Sequence, residues 1–141
     1  MAGARRKARA LVLQGLYEID SARRNPEEVL TRLLSNKRLS VDNATFIREL
    51  VEGVIRNRDE LDMNIKRFAP AWPIEQLSLL DRNILRLAIF ELLLNNRAPV
   101  KVVINEAVEL AKNFGSENSA RFVNGVLSSV SNLAAGQQKG R

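Results

Sequence analysis

The sequence predicts an all-α fold with about seven helices, and three observations lead to this prediction. Apolar residues recur at helical spacing in each long segment, capping residues and prolines separate the segments, and no segment alternates as a β-strand does. With 141 residues, 45% of them hydrophobic, the chain can bury a sizeable core as one domain. We expect a basic arm, an N-terminal lobe, a linker, a C-terminal lobe and a flexible tail, at residues 1–10, 4–69, 70–77, 78–134 and 135–141.

The first predicted helix covers residues 4–22, where Ala8, Val12, Leu16 and Ile19 recur at helical spacing. Its first turns carry a basic block made of Arg5, Arg6, Lys7 and Arg9. Cations at a helix N-terminus oppose the helix dipole, so this block contributes nothing to an isolated helix. Either a polyanion stabilises it or its first residues stay frayed until one binds.

The excess positive charge of the chain lies at its two ends. The basic block precedes the first acidic residue, and Lys139 and Arg141 follow the last one. The other 16 basic residues balance the 16 acidic residues, within a formal net charge of +6. This distribution favours a phosphate-binding arm, with a solvated tail as the alternative.

Local capping signals predict three further helices before the linker. Asn25 suits an N-cap and Pro26 the first helical position of the second helix. Asp42 is expected to cap the third helix. Asn57 with Glu60 three residues later resembles a capping box that begins the fourth.

Two prolines define the predicted linker. Pro70 and Pro73 stop the fourth helix and stiffen the chain that follows it. Trp72, the only tryptophan, lies between them. We expect Trp72 to fill the seam between the two lobes, with stacking on a nucleic-acid base as the alternative.

The segment after the linker is predicted to form the central helix of the core. Residues 79–94 are apolar on most faces, so other helices must surround them, and Ser78 starts the helix. Two amphipathic helices follow. Pro99 begins the first of them, Gly115 ends it as a C′ residue, and Ser116 caps the last helix.

The composition argues against an enzyme. The chain has no His and no Cys, which removes the commonest general bases, nucleophiles and soft metal ligands. Its seven glycines form no phosphate-binding loop. We therefore expect no catalytic residue, no metal and no cofactor. No apolar run approaches the ~18 residues that span a bilayer, and no signal peptide is evident, so we expect a cytoplasmic location and no membrane partner.

Several segments resemble the NusB family of transcription antitermination factors. The C-terminal half reads LDRNILRLAIFEL and then PVKVVINEAVELAKNFGSENSARFVNGVL, and the N-terminus reads ARRKAR followed by QGLY. The resemblance spans residues 4–130, although residues 24–66 match only in pattern. It implies an all-helical fold of two packed small helical bundles.

The resemblance also implies a function and partners. With NusE, a small-subunit ribosomal protein, such a factor binds the boxA element of nascent ribosomal RNA. It then joins RNA polymerase and other Nus factors and suppresses premature termination. The implied RNA contacts are Arg5, Arg6, Lys7, Arg9, Gln14, Tyr17, Phe68, Glu117, Asn118 and Phe122. Exposed positions of the central helix, Asp81, Arg82 and Arg86, are expected on the NusE side.

Three other interpretations compete with an RNA-binding antitermination factor. A protein-interaction or homodimerisation module without specific RNA binding would leave the basic arm incidental. A related helical domain occurs fused to ribosomal RNA cytosine methyltransferases, but this chain has no catalytic cysteine. A DNA-binding helix-turn-helix at Gly115 is disfavoured, because Arg121 is the only basic residue of the following helix before Leu133.

Overall fold

The computed structural model describes residues 2–139, with side chains for residues 3–133, and contains seven α-helices in that range. They are α1 (Ala2–Ser21), α2 (Pro26–Leu34), α3 (Val41–Arg56), α4 (Arg58–Phe68), α5 (Leu79–Ile89), α6 (Val100–Phe114) and α7 (Ser119–Lys139). A 3₁₀ turn covers Ile74–Gln76, and a π-helical segment covers Phe90–Asn95. The described residues include no β-strand, and the predicted all-α fold is confirmed.

The first compact unit comprises Met1–Arg56 and contains α1, α2 and α3. Helix α1 packs against both other helices, and α2 also packs against α3. The fully buried side chains of this unit come from all three helices and include Val12, Leu30, Ile47, Leu50 and Val51. They follow the apolar spacing of the sequence, so burial of one stripe per helix accounts for this three-helix core.

The caps of α2 and α3 differ in how well the sequence predicts them. Asn25 caps α2 as predicted, and its Oδ1 accepts a hydrogen bond from the Glu27 N–H at 2.8 Å. Ser40, rather than Asp42, caps α3, because its Oγ accepts a hydrogen bond from the Asn43 N–H at 3.0 Å. Asp42 lies in the first turn of α3, where its charge favours the helix dipole.

The second compact unit comprises Asn57–Arg141 and is built around α5. Helix α5 packs against α4, α6 and α7, and every residue from 83 to 89 is buried, which confirms the predicted central helix. Ser78 caps it, with Oγ accepting a hydrogen bond from the Asp81 N–H at 3.1 Å. The π-helical segment that continues α5 was not predicted. It ends at Asn96, whose φ of 53° reverses the chain.

Two boundaries differ from the sequence prediction. The units divide at Arg56 rather than within residues 70–77, because α4 packs against α5 and α7. The predicted flexible tail begins at residue 135, yet α7 continues through Lys139, since the alanine, glutamine and lysine residues there favour a helix. Residues 140 and 141 lie outside the described part of the chain. Within that part, no helix is long and apolar enough to cross a membrane.

Candidate nucleic-acid interface

One face of α1 presents polar and aromatic side chains to solvent. Arg6, Lys7 and Gln14 are exposed, and Tyr17 keeps 42% of its surface accessible. At about 3.6 residues per turn, these four positions fall within an arc of about 100° on the helix. A rise of about 1.5 Å per residue spreads them over roughly 16 Å. Two cations, an amide and a phenol therefore form one strip, called here the α1 strip.

Arg5 and Arg9 lie on another side of α1, against Phe46 of α3. The Cζ atoms of Arg5 and Arg9 lie 4.0 Å and 5.1 Å from the centroid of the Phe46 ring. Arg5 Nη1 also donates a hydrogen bond to Asn43 Oδ1 at 3.0 Å. Arg5 is half-buried, and only 4% of Arg9 is exposed. Arg9 was predicted to meet RNA phosphates, but in this structure it is almost fully buried and its guanidinium packs against Phe46.

The contacts with Phe46 help to fix the first turns of α1. The helix begins at Ala2 and has no acidic residue in its first turn, so the basic block lies near the positive end of the dipole. A cation–π contact contributes about 0.5–2 kcal/mol, which offsets part of this cost. Phe46 lies at helical spacing with the apolar residues Leu50 and Val54 of α3. Nothing in the periodicity signalled that it would hold two guanidinium groups.

In the second unit, Phe68 forms the last turn of α4 together with two cations. Phe68 is half-buried, and Lys66 and Arg67 are exposed. The Cζ atom of Arg67 lies 5.4 Å from the centroid of the Phe68 ring. The aromatic residue predicted from the resemblance is thus accompanied by positive charge at the C-terminal end of α4.

Glu117 and Asn118 are exposed in the turn between α6 and α7. The turn is held from inside by Ser119, which is buried and whose Oγ accepts a hydrogen bond from the Ser116 N–H at 2.9 Å. Helix α7 was predicted to begin directly after a Ser116 cap, but it begins at Ser119. Glu117 and Asn118 therefore lie in a turn whose backbone is held by this hydrogen bond.

Phe122, in the first turns of α7, is half-buried and contacts Trp72. The two ring centroids are 6.4 Å apart and the rings are inclined by 76°, which is an edge-to-face arrangement. Trp72 itself is 55% exposed. The prediction that Trp72 fills a buried seam is therefore wrong. Trp72 lies instead at the surface, between two exposed prolines in the chain, Pro70 and Pro73.

The three residues expected on the NusE side differ in accessibility. Arg86 is only 3% exposed, and its Nε and Nη2 donate to the two carboxylate oxygens of Asp62 at 2.6 and 2.9 Å. The prediction of an exposed Arg86 is therefore wrong, because α5 is buried on the side that faces α4. Asp81 and Arg82 are half-buried at the start of α5, and Arg82 Nη2 donates to the Leu77 carbonyl at 3.1 Å.

Comparison with known proteins places these features in a family context. The model of the NusB family matches residues 6–132. The transcription antitermination protein NusB of Dehalococcoides mccartyi is 57% identical over 141 residues, covering 100% of this chain and 99% of that protein. NusB of a Roseiflexus species is 44% identical, covering 99% of this chain and 100% of that protein.

Solved structures are similar over nearly the whole chain. T. maritima NusB superposes with a TM-score of 0.85 at 35% identity, covering 91% of this chain and 90% of that one. A crystal structure of the antitermination factors NusB and NusE in complex with dsRNA gives a TM-score of 0.84 at 29% identity, covering 94% and 99%. These similarities extend well beyond a shared helical architecture.

Proposed function

The chain belongs to the NusB family, and on that premise we propose that it is an RNA-binding transcription antitermination factor. With NusE it binds the boxA element of nascent ribosomal RNA transcripts and helps RNA polymerase, together with other Nus factors, to read through terminators. A solved relative in complex with NusE and dsRNA supports this assignment. Its role is binding rather than catalysis, and its place is the cytoplasm, where transcripts emerge.

The α1 strip is the observation that carries the proposal. Arg6 and Lys7 supply positive charge for phosphates, and Tyr17 supplies an exposed ring for an unpaired base. Gln14 lies between them and offers both a donor and an acceptor for a base edge. One helix face thus combines the electrostatic and the stacking components of single-stranded RNA binding.

The second unit contributes further contacts in this proposal. The remaining RNA-facing positions are Phe68 with its neighbouring cation Arg67, Glu117 and Asn118 in the turn before α7, and Phe122. Asp81 and Arg82 stay proposed for the NusE side, where the Asp81 Oδ1 and Arg82 Nε atoms are buried and make no hydrogen bond within the described part of the chain. Arg86 is left out of this set because it is committed to Asp62.

Binding measurements with two RNAs test the function. We expect the protein to bind a boxA RNA more tightly than a scrambled RNA of the same composition in a filter-binding assay. Addition of NusE should increase the affinity for the boxA RNA selectively. Equal affinity for both RNAs, with and without NusE, would refute sequence-specific binding.

Homodimerisation is the competing proposal, and sedimentation separates it from RNA binding. A tight dimer that binds neither RNA nor NusE at any accessible protein concentration would favour the interaction module. A monomer that sediments faster when boxA RNA and NusE are added would favour the antitermination factor.

A further inference from the structure

Trp72 lies at the surface, in a short turn whose two ends are buried. The residues at its two ends, Ala69 and Ile74, are buried, whereas Pro70 and Pro73 are exposed. The backbone N–H of Trp72 donates a hydrogen bond to the Ala69 carbonyl at 3.1 Å, which closes the turn. Two prolines restrict the backbone of this turn further. The backbone that carries the indole is therefore restricted, and the side chain is exposed although large aromatic side chains are usually buried.

The surroundings of Trp72 resemble a stacking platform. Its contact with Phe122 is edge-to-face, at 76° between the rings, and 55% of its surface stays accessible. More than half of the Trp72 surface is therefore accessible to a ligand. Lys66 and Arg67 are exposed at the nearby end of α4, and no acidic residue occurs from residue 66 to residue 74. An open aromatic face beside cations suits a nucleobase attached to a phosphate chain.

We propose that Trp72 stacks on an unpaired base of the bound RNA, beside Phe122. This inference rests on the proposed function and adopts for Trp72 the base stacking that the sequence left open as an alternative, at a residue to which the family resemblance assigns no RNA contact. A base attached to a phosphate chain is favoured over an apolar protein partner because two exposed cations, Lys66 and Arg67, lie at the end of α4 that precedes this turn. Stacking on an indole accepts any base, so Trp72 would add affinity more than sequence preference.

The chain provides its own probe, because Trp72 is the only tryptophan. We expect titration with a boxA RNA to quench the intrinsic fluorescence of the wild-type protein, saturating at the same RNA concentration as the anisotropy of a dye-labelled copy of that RNA. Base stacking contributes about 1–3 kcal/mol, so Trp72→Ala should weaken RNA binding by roughly tenfold. Trp72→Phe keeps an aromatic face and should retain most of the affinity.

Met63→Ala is the matched control, since Met63 is an apolar side chain of the same unit that is 70% exposed. It should leave RNA affinity unchanged. Circular dichroism melts of all variants show whether any loss comes from unfolding. The wild-type quench tests the proposal without a substitution.

The outcomes separate this inference from the proposed function. If the labelled RNA does not bind at all, the proposed function fails and the inference fails with it. If the RNA binds but Trp72 fluorescence is unchanged and Trp72→Ala binds as tightly as wild type, only the inference is overturned. If Trp72 fluorescence changes with protein concentration in the absence of RNA and stays the same when RNA is added, Trp72 is assigned to self-association. That result would also overturn the inference.

Discussion

Replacing both cations of the α1 strip, as Arg6→Ala with Lys7→Ala, should flatten the salt dependence of RNA binding. Each phosphate neutralised on a single strand contributes about 0.7 to the slope of log affinity against log salt concentration. Loss of two contacts should therefore reduce the slope by about 1.4. Between roughly 50 and 200 mM salt, the affinity advantage of the wild type over the variant should shrink about sevenfold.

The expected change in the salt slope depends on which cations of the basic block are exposed. Arg6 and Lys7 are exposed, whereas Arg9 is buried against Phe46 and Arg5 is half-buried beside the same ring. Four equivalent phosphate contacts would contribute about 2.8 to the slope, twice the effect expected for the exposed pair. Arg9→Ala should accordingly leave the slope unchanged and lower the stability of the first unit instead.

Fluorescence anisotropy of a labelled boxA RNA, titrated at several salt concentrations, measures the slope. The control is Lys37→Ala with Arg38→Ala, which removes two exposed cations from the same compact unit and changes the net charge equally. The control should keep the wild-type slope. An unchanged slope in the Arg6 and Lys7 variant, or an equal decrease in the control, would refute the role of the α1 strip.

Three further predictions concern stability and order. Phe46→Ala removes the ring beneath two guanidinium groups, so backbone amides in the first turns of α1 should exchange hydrogen faster. Unchanged exchange would show that the contacts of Arg5 and Arg9 with Phe46 do not fix these turns. Asp62→Ala leaves Arg86 buried without its carboxylate and should cost about 3 kcal/mol in urea unfolding, much of which Arg86→Met in the same chain should restore. Gly115→Ala would place a Cβ 2.7 Å from the Ala111 carbonyl oxygen and should lower the unfolding free energy by about 1–3 kcal/mol, whereas a wild-type melting temperature would disprove the close approach.

Local sequence signals predicted the helices and several of their ends. Asn25 and Pro26 specify the start of α2 because one accepts the first free N–H groups and the other lacks an N–H to satisfy. The apolar character of residues 79–94 identified α5 as the central helix, since only surrounding helices can bury every face. Such signals depend on neighbours within a few residues, so one sequence is enough to detect them.

Features that depend on tertiary neighbours were not predictable in this way. Arg86 lies in a segment that is apolar on most faces, and its burial is tolerable because the Asp62 carboxylate approaches from α4 and Asn83 Oδ1 accepts a further hydrogen bond. Gly115 was predicted to end α6 as a C′ residue, a position where glycine is commonly left-handed. It is extended instead, with φ of −92°, and the glycine is required because a Cβ would meet Ser119 and the Ala111 carbonyl.

The basic block shows why the family resemblance alone could not tell which of its four cations are exposed. Consecutive residues on a helix point about 100° apart, so a run of cations necessarily divides between the two sides of α1. Arg5 and Arg9 face α3, where Phe46 accommodates them, and Arg6 and Lys7 face solvent. Cations at this end of a helix oppose the dipole, so helix stability does not explain their presence. Arg5 and Arg9 anchor the helix to α3, and in the proposed function Arg6 and Lys7 meet a polyanion whose charge also suits the helix N-terminus. Folding and RNA binding therefore make different demands on adjacent residues of one short segment.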